Sequence, residues 1–267
     1  MKDWEEYKNA STIADTKPTL DYKKFKEIDK VTIVPISDEH IGSKYYDEKE
    51  HRVILKWVLE SPNTYIMLLG DELECSTRDS VGAGVYEQQE IIDQQVEHFI
   101  NLYQPLADKG KILGMHPGNH ELRLFKSSGL NLTKMLAKQL NVPYWGWGKL
   151  HYFRIGEQGY TIYTTHGSSG ATMPHTKIKS ALKLAGMADA EIYCMGHLHQ
   201  LSHHVKNFYQ INKRRKMVDE GQKHFIICGS LLSHWGSYGH VMSMEPGRRG
   251  YPKIKLHGDK HMIRVSL

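Results

Sequence analysis

"GMHPGNHELR", Gly114–Arg123, begins at the end of the apolar run Ile112-Leu113-Gly114-Met115. A short apolar run that stops at a polar tetrad, Gly118-Asn119-His120-Glu121, predicts a buried strand whose carboxyl end delivers side chains to a site. The same signature recurs along the 267-residue chain. "VTIVPI" (31–36) runs into "SDEHIGS", "TYIMLLG" (64–70) into "DELEC", and "EIYCM" (191–195) into "GHLHQ". "HYFRIGEQGYTIYTTHGSSG" (151–170) predicts a hairpin turning at Glu157-Gln158-Gly159 and ending at His166. Strand ends thus release Asp38 and His40, then Asp71, then Asn119 and His120, then His166, then His197 and His199. A lone histidine after a strand is ordinarily hydrogen-bonded structure, but so many in register, with helices between, point to a metal site.

Helices are predicted at 47–61, with Val53, Ile54, Trp57 and Val58 on one face, and at about 86–104, with Ile91, Ile92, Gln95, Phe99 and Tyr103 at helical spacing. The Gln-rich part of the latter, 87–95, reads as a surface helix. Asn131 is placed to cap "LTKMLAKQL", and a further helix is expected at about 175–187. Residues 202–267 are strand-like and loop-rich, and include "HFIICGS" (224–230). Strand–loop–helix units followed by strand hairpins imply a layered α/β sandwich. Residues 1–30 are polar and lysine-rich without a sustained period, and read as an N-terminal arm to one domain over 31–267.

The net charge of +5 and the pI near 8.9 fit a polyanionic partner. The three cysteines, Cys75, Cys194 and Cys228, are isolated from one another, which argues against a disulfide framework and for a reducing, cytoplasmic compartment. "MKDWEEYKNA" has no apolar signal core, and no run approaches membrane-spanning length, so no membrane partner is expected. Gly82-Ala83-Gly84 is not a phosphate loop, since no GK[ST] follows it.

Carboxylates, imidazoles and one amide oxygen, with no thiolate, form a donor set that suits Mn²⁺, Fe or Zn²⁺ better than copper(I) or a cluster. The donors outnumber what one tetrahedral ion needs, which implies two ions. Such a pair polarises a phosphoryl group and supplies a hydroxide for in-line attack. A carboxylate reaching both ions would keep them close, and a histidine outside the ligand set could protonate the leaving oxygen.

In order and spacing, "SDEHIGS", "GDELE", "GNHE", "THG" and "GHLH" resemble the motif set of the calcineurin-like metallophosphoesterase superfamily, nearest to its DNA-repair exonuclease-like branch. The resemblance covers roughly residues 31–200, and "IICGS" (226–230) resembles the strand that often follows. It implies a four-layer αββα sandwich of two mixed β-sheets flanked by helices. It also implies two divalent ions, Mn²⁺ foremost with Fe, Zn²⁺ and Mg²⁺ as alternatives. Asp38, His40 and His199 resemble the ligands of the first ion, Asp71 the bridging ligand, and Asn119, His166 and His197 the ligands of the second. His120 resembles the catalytic histidine that contacts the phosphate. Glu121 is then a candidate for orienting a histidine, and Arg123 for holding phosphate or pairing with Glu121. Gly118 is expected to let the backbone turn tightly. "GDELECSTRD" departs from the GDxVDRG form of protein Ser/Thr phosphatases. Leu73-Glu74 and Glu121 depart from the nuclease branch, but no ligand position is lost.

The resemblance implies a phosphoesterase, with nucleic acid as the favoured substrate and a small nucleotide or other metabolite as the alternative. A binding module that has lost turnover is the reading from a different class. "KNFYQINKRRK" (206–216) interleaves basic and aromatic residues, as a backbone-tracking surface or a solvated hairpin tip would. "GRRGYPK" (247–253) is similar. Trp145 and Trp147 read as base-stacking or as packed aromatics, and "SHWGSYGH" (233–240) as a pocket rim. His175, His203, His204 and His234 hold no motif position. Oligomeric state is not legible.

Overall fold

The apolar runs are continuous rather than alternating because both faces of their strands are covered. A computed structural model describes residues 20–25, 28–77, 80, 86 and 88–267. β2 (Lys30–Ile36), β3 (Thr64–Leu68) and β4 (Ile112–Met115) pair in parallel, and β10 (Lys253–His257) and β11 (Ile263–Ser266) complete a sheet in the order β11-β10-β2-β3-β4. The second sheet runs β1-β5-β6-β7-β9-β8, from β1 (Leu20–Phe25), β5 (Gly148–Ile155), β6 (Gln158–Thr165), β7 (Ile192–Met195), β8 (Ser202–Asn212) and β9 (Met217–Ile227). Both sheets mix parallel and antiparallel pairs.

Period-two alternation sorts the side chains into three cores. Val31, Ile33, Met67 and Leu69 face Phe153, Ile162, Ile192 and Ile226 between the sheets. Val34, Ile36, Ile66 and Leu68 point the other way, under α1 (Glu48–Glu60), α2 (Ile92–Asp108) and α4 (Leu132–Gln139). Tyr163, Tyr193 and Phe225 are covered by α5 (Pro174–Leu182) and the short 3₁₀ turn after it. The result is helices, sheet, sheet, helix: the expected αββα sandwich. The inter-sheet side chains are fully buried; each removes apolar surface worth about 1.5–3 kcal/mol from water.

Several expectations need correction. Within the stretch read as an arm, Leu20–Phe25 forms an edge strand that pairs in parallel with Leu150–Ile155. The α2 helix begins at Ile92, not near 86; at its start Asp93 and Gln94 are exposed, as a surface helix requires, but Gln95 is not. Gln95 is fully buried; it accepts the Cys75 N–H at 3.0 Å and donates to Glu90 O and Gln88 Oε1. It pins the loop after β3 rather than meeting solvent. The α1 helix is capped by Asp47 and buries His51, Leu55 and Val58, while Val53 is exposed. The Gly82–Gly84 segment lies outside the described residues. Among those described, no helix is long and apolar enough to cross a membrane.

The β8–β9 hairpin has a consequence for function. β7 and β9 run in parallel with their carboxyl ends together, so the tip after Asn212 lies at the opposite end of the sheet. At about 3.4 Å per residue, the tip is roughly 34 Å from Ile227. The basic stretch 206–216 is therefore carried away from the strand ends that hold the histidines.

Candidate metal centre

The strand ends meet. Asp38 and His40 follow β2, Asp71 follows β3, and Asn119 opens α3 (Asn119–Ser128) after β4. His166 follows β6, and His197 and His199 follow β7. All lie at carboxyl ends of strands, where both sheets open toward one crevice. The ligand atoms form three overlapping groups: Asp38, His40 and His199; His40, Asp71 and His120; and Asp71, His166 and His197.

Local backbone conformation aims these side chains. Asp38, His40, Asp71, His197 and His199 all adopt left-handed backbone, with φ of 57°, 54°, 56°, 68° and 49°. Among the described residues, half of the ten non-glycine positions with positive φ are thus site residues. Asp and His tolerate this region better than β-branched residues do, but strain of this kind clusters where function requires it.

Two glycines make room. Gly118 has φ −100° and ψ 178°, extended backbone that any residue adopts, so the expected tight turn is not its reason. A Cβ on Gly118 would sit 2.1 Å from both Asp71 N and Asp71 Oδ1. A Cβ on Gly196 would sit 1.9 Å from Ser37 Oγ and 3.0 Å from Asp38 Oδ2. Each glycine lets one strand end press against the carboxylate of another.

The donors suit divalent cations. His166 Nδ1–H donates to Leu69 O at 2.8 Å, which leaves Nε2 facing Asn119 Oδ1 at 2.9 Å and Asp71 Oδ2 at 3.3 Å. His197 Nε2–H donates to Ser169 O at 3.0 Å, which leaves Nδ1 facing Asn119 Oδ1 at 2.7 Å. In both rings the outer nitrogen is committed to a carbonyl, so the inner lone pair is free for an ion. His40 Nε2 and His199 Nε2 face each other at 3.2 Å, with Asp38 Oδ1 3.3 Å from the latter. Outside, His40 Nδ1 lies 3.1 Å from Glu74 Oε2. Two imidazole lone pairs meeting beside a carboxylate suit a shared cation better than each other.

The electrostatics agree. Burial alone would raise the Asp71 carboxyl, but the imidazoles of His166, His120 and His40 hold it well below the usual carboxylate range. Burial would lower His166, yet Asp71 brings it up to about 9; Glu74 does the same for His40, also to about 9. Without an ion, protons serve as the cations of the site. Metal binding would displace them, as expected for ligands that bind deprotonated.

His120 stands differently. Its Nδ1–H donates to Glu74 O at 2.7 Å, and Arg123 Nη2 donates to its Nε2 at 2.9 Å. His120 borders Asp71 and His40, but the guanidinium on its Nε2 sets it apart from the other candidate ligands. Burial, with His40 and Arg123 adding, outweighs the carboxylates and lowers it to about 4. Arg123 therefore reaches neither Glu121 nor solvent alone; it lies on the His120 ring.

Glu121 orients no histidine. It is buried, and its carboxylate accepts the backbone N–H groups of Asp71 at 3.2 Å, Leu73 at 3.0 Å and Gly118 at 3.0 Å. It ties the loop after β3 to the loop after β4. Burial, and then the Asp71 charge, raise it to about 7. Two positioning residues escaped sequence reasoning. Glu74 holds both His40 and His120, and its spacing three residues after Asp71 was the available signal. Ser230 Oγ donates to Asp38 O at 2.6 Å, which gives the "GS" after β9 a task. Trp145 is buried against the His116 and His151 rings and stacks no base, whereas Trp147 is 36% exposed. The 233–240 loop sits beside the loop after β2, where Tyr45 O accepts Ser233 N–H at 2.8 Å.

No family model and no curated protein matches the sequence. Among solved structures, the chain is similar to a conserved uncharacterized protein, a predicted phosphoesterase, from Streptococcus pneumoniae, at 14% identity and TM-score 0.36, covering 89% of this chain and 97% of that one. It is similar to Vacuolar Protein Sorting 29 from Cryptosporidium parvum at 16% identity and TM-score 0.44, with coverage of 89% and 97%. It is also similar to the calcineurin-like phosphoesterase YfkN from Bacillus subtilis at 12% identity and TM-score 0.31, with coverage of 66% and 65%. At these identities the likenesses carry no argument about activity, ligand or substrate. Calcineurin-like phosphoesterases are among the structures this chain is similar to, as its motifs implied; the DNA-repair branch is not tested by them.

Proposed function

We propose that this chain is a two-metal phosphoesterase that hydrolyses phosphodiester bonds, with nucleic acid as its substrate. The observation that carries this reading is the convergence of Asp38, His40, Asp71, Asn119, His166, His197 and His199, with the outer nitrogens of His166 and His197 committed to carbonyls and that of His40 set beside the Glu74 carboxylate. Asp38, His40 and His199 would hold one ion; Asn119, His166 and His197 the other; Asp71 would reach both. Bound there, divalent ions supply Lewis-acid activation of the phosphoryl group and of a water.

The chain's own residues do the rest. Asn119 and Asp71 fix the spacing of the two ligand groups, because Glu121 clamps the backbone between them. His120 faces the crevice from outside the ligand set, held by Glu74 and Arg123. A phosphate brought against the ring would draw the Arg123 guanidinium off Nε2 and favour the protonated imidazole, whose Nε2–H would then be given to the leaving oxygen. Arg123, alongside, supplies a guanidinium for a phosphate oxygen.

A second reading, a small nucleotide as substrate, is favoured by the position of the basic hairpin tip, far from the crevice. Salt separates the two. Incubated with Mn²⁺, the protein is expected to cleave end-labelled DNA or RNA while an Asp71→Ala variant does not. Binding of the polymer should weaken steeply with salt, with a log–log slope near −0.7 to −0.9 per neutralised phosphate. Cleavage of an aryl phosphodiester without cleavage of any nucleic acid would move the assignment to small nucleotides. Ion binding without hydrolysis of any ester would leave a binding module.

A further inference from the structure

A cavity of about 790 Å³ opens beside the ligands assigned to the second ion. Its wall includes Thr165 and Gly167, the residues on either side of His166, and Ser169, whose carbonyl accepts His197 Nε2–H at 3.0 Å. Its apolar lining includes Trp147, Tyr163 and Met195, and its cations are Lys149 and Lys183. No acidic residue lines it among the described residues. The other large cavity, about 890 Å³ at the far end of the six-stranded sheet, is lined by Asp189, Glu191 and Glu220, a surface that repels phosphate.

We infer that the cavity beside His166 and His197 is a nucleoside subsite, in which the base stacks on Trp147 while Lys149 and Lys183 face an adjoining phosphate or base carbonyl. This rests on the phosphoesterase reading of the neighbouring centre. The volume lies within the range of small-molecule sites, roughly 300–1,000 Å³. Trp147 is placed by the same strand end that carries His166: Thr165 Oγ1–H donates to Trp147 O at 2.6 Å and accepts the Gly167 N–H at 3.1 Å. Trp147 is 36% exposed, so it is accessible from the cavity it lines. Ser169 and Ser180 hydroxyls, 2.8 Å apart, tie the cavity's rim to α5. An aromatic wall with cations and hydroxyls suits a heterocycle that carries carbonyls and is linked to phosphate. An acyl chain would use the wall but neither the cations nor the hydroxyls.

The test compares two nitrophenyl phosphodiesters, one esterified to thymidine and one to methanol, by the ratio of their kcat/KM values. The parent should favour the thymidine ester; Trp147→Ala should reduce that preference by about tenfold, and Trp147→Phe should keep it. Lys183→Ala should reduce it as well. In parallel, equilibrium dialysis should show thymidine monophosphate binding more tightly than inorganic phosphate, an advantage lost in Trp147→Ala. An unchanged ratio and unchanged nucleotide advantage in Trp147→Ala overturn the subsite while leaving ester hydrolysis intact. Hydrolysis of neither ester, with a Trp147-dependent nucleotide advantage, sinks the phosphoesterase reading and supports the subsite.

Discussion

On the proposed phosphoesterase reading, replacing His120 by alanine is expected to lower turnover by about 10²–10⁴-fold, the usual loss when a positioned acid is removed, while metal content stays unchanged. The ring contributes no lone pair that the ion ligands need. Its Nδ1–H is spent on Glu74 O, and its Nε2 faces the Arg123 guanidinium at 2.9 Å. Its backbone N–H does donate to Asp71 Oδ1 at 2.7 Å, but alanine keeps that bond. Metal content and turnover therefore separate in this variant. A loss of one ion along with activity would place His120 in the ligand set, as its proximity to His40 and Asp71 allows. Full activity would remove it from the reaction.

Gly118→Ala has the larger structural effect for the smaller change. Alanine tolerates the backbone angles of this position, so the added methyl acts only through space. It would meet Asp71 N and Oδ1 at 2.1 Å, and neither can withdraw easily. The Asp71 amide is held by Glu121, and the Gly70 Cα is itself packed against Gly118. The carboxylate must turn or the two loops must part. The expected result is a fold weakened by about 1–3 kcal/mol, as for other overpacked sites, with ion binding and hydrolysis both lost. Calorimetry and metal analysis on the same sample read both. A folded Gly118→Ala with full metal content would show that Asp71 is not held where the two ligand groups meet.

The candidate ligands were legible as strand-end residues because they obey a positional rule: an apolar run, buried on both faces, stops and releases Asp, Asn or His. That rule needs only local sequence, and it placed all seven donors and His120 at one crevice. What surrounds them depends on contacts between segments far apart in the chain. Glu121 as a clamp on three backbone amides requires knowing that the loops after β3 and β4 touch. Gly118 is a matter of the Asp71 carboxylate and not of its own turn. Glu74 looked like a departure from a motif, yet it holds two histidines from outside. The left-handed backbone at Asp38, His40, Asp71, His197 and His199 has no sequence signal beyond tolerance of that region. The strand in residues 20–25 has alternating exposure along a sheet edge, too short and too polar to announce itself. The basic hairpin was legible as a hairpin, but its direction, away from the crevice, follows from sheet topology alone.

The central proposal is that these strand ends would hold two divalent ions, with Asp71 common to both ligand groups. Metal-stripped protein dialysed to equilibrium against Mn²⁺ and then analysed for metal per chain tests it directly, with Asp71→Ala beside it. Two ions per chain for the parent, and loss of binding in Asp71→Ala, are the predicted result. A parent that takes up no ion, or an Asp71→Ala variant that still holds two, would contradict it.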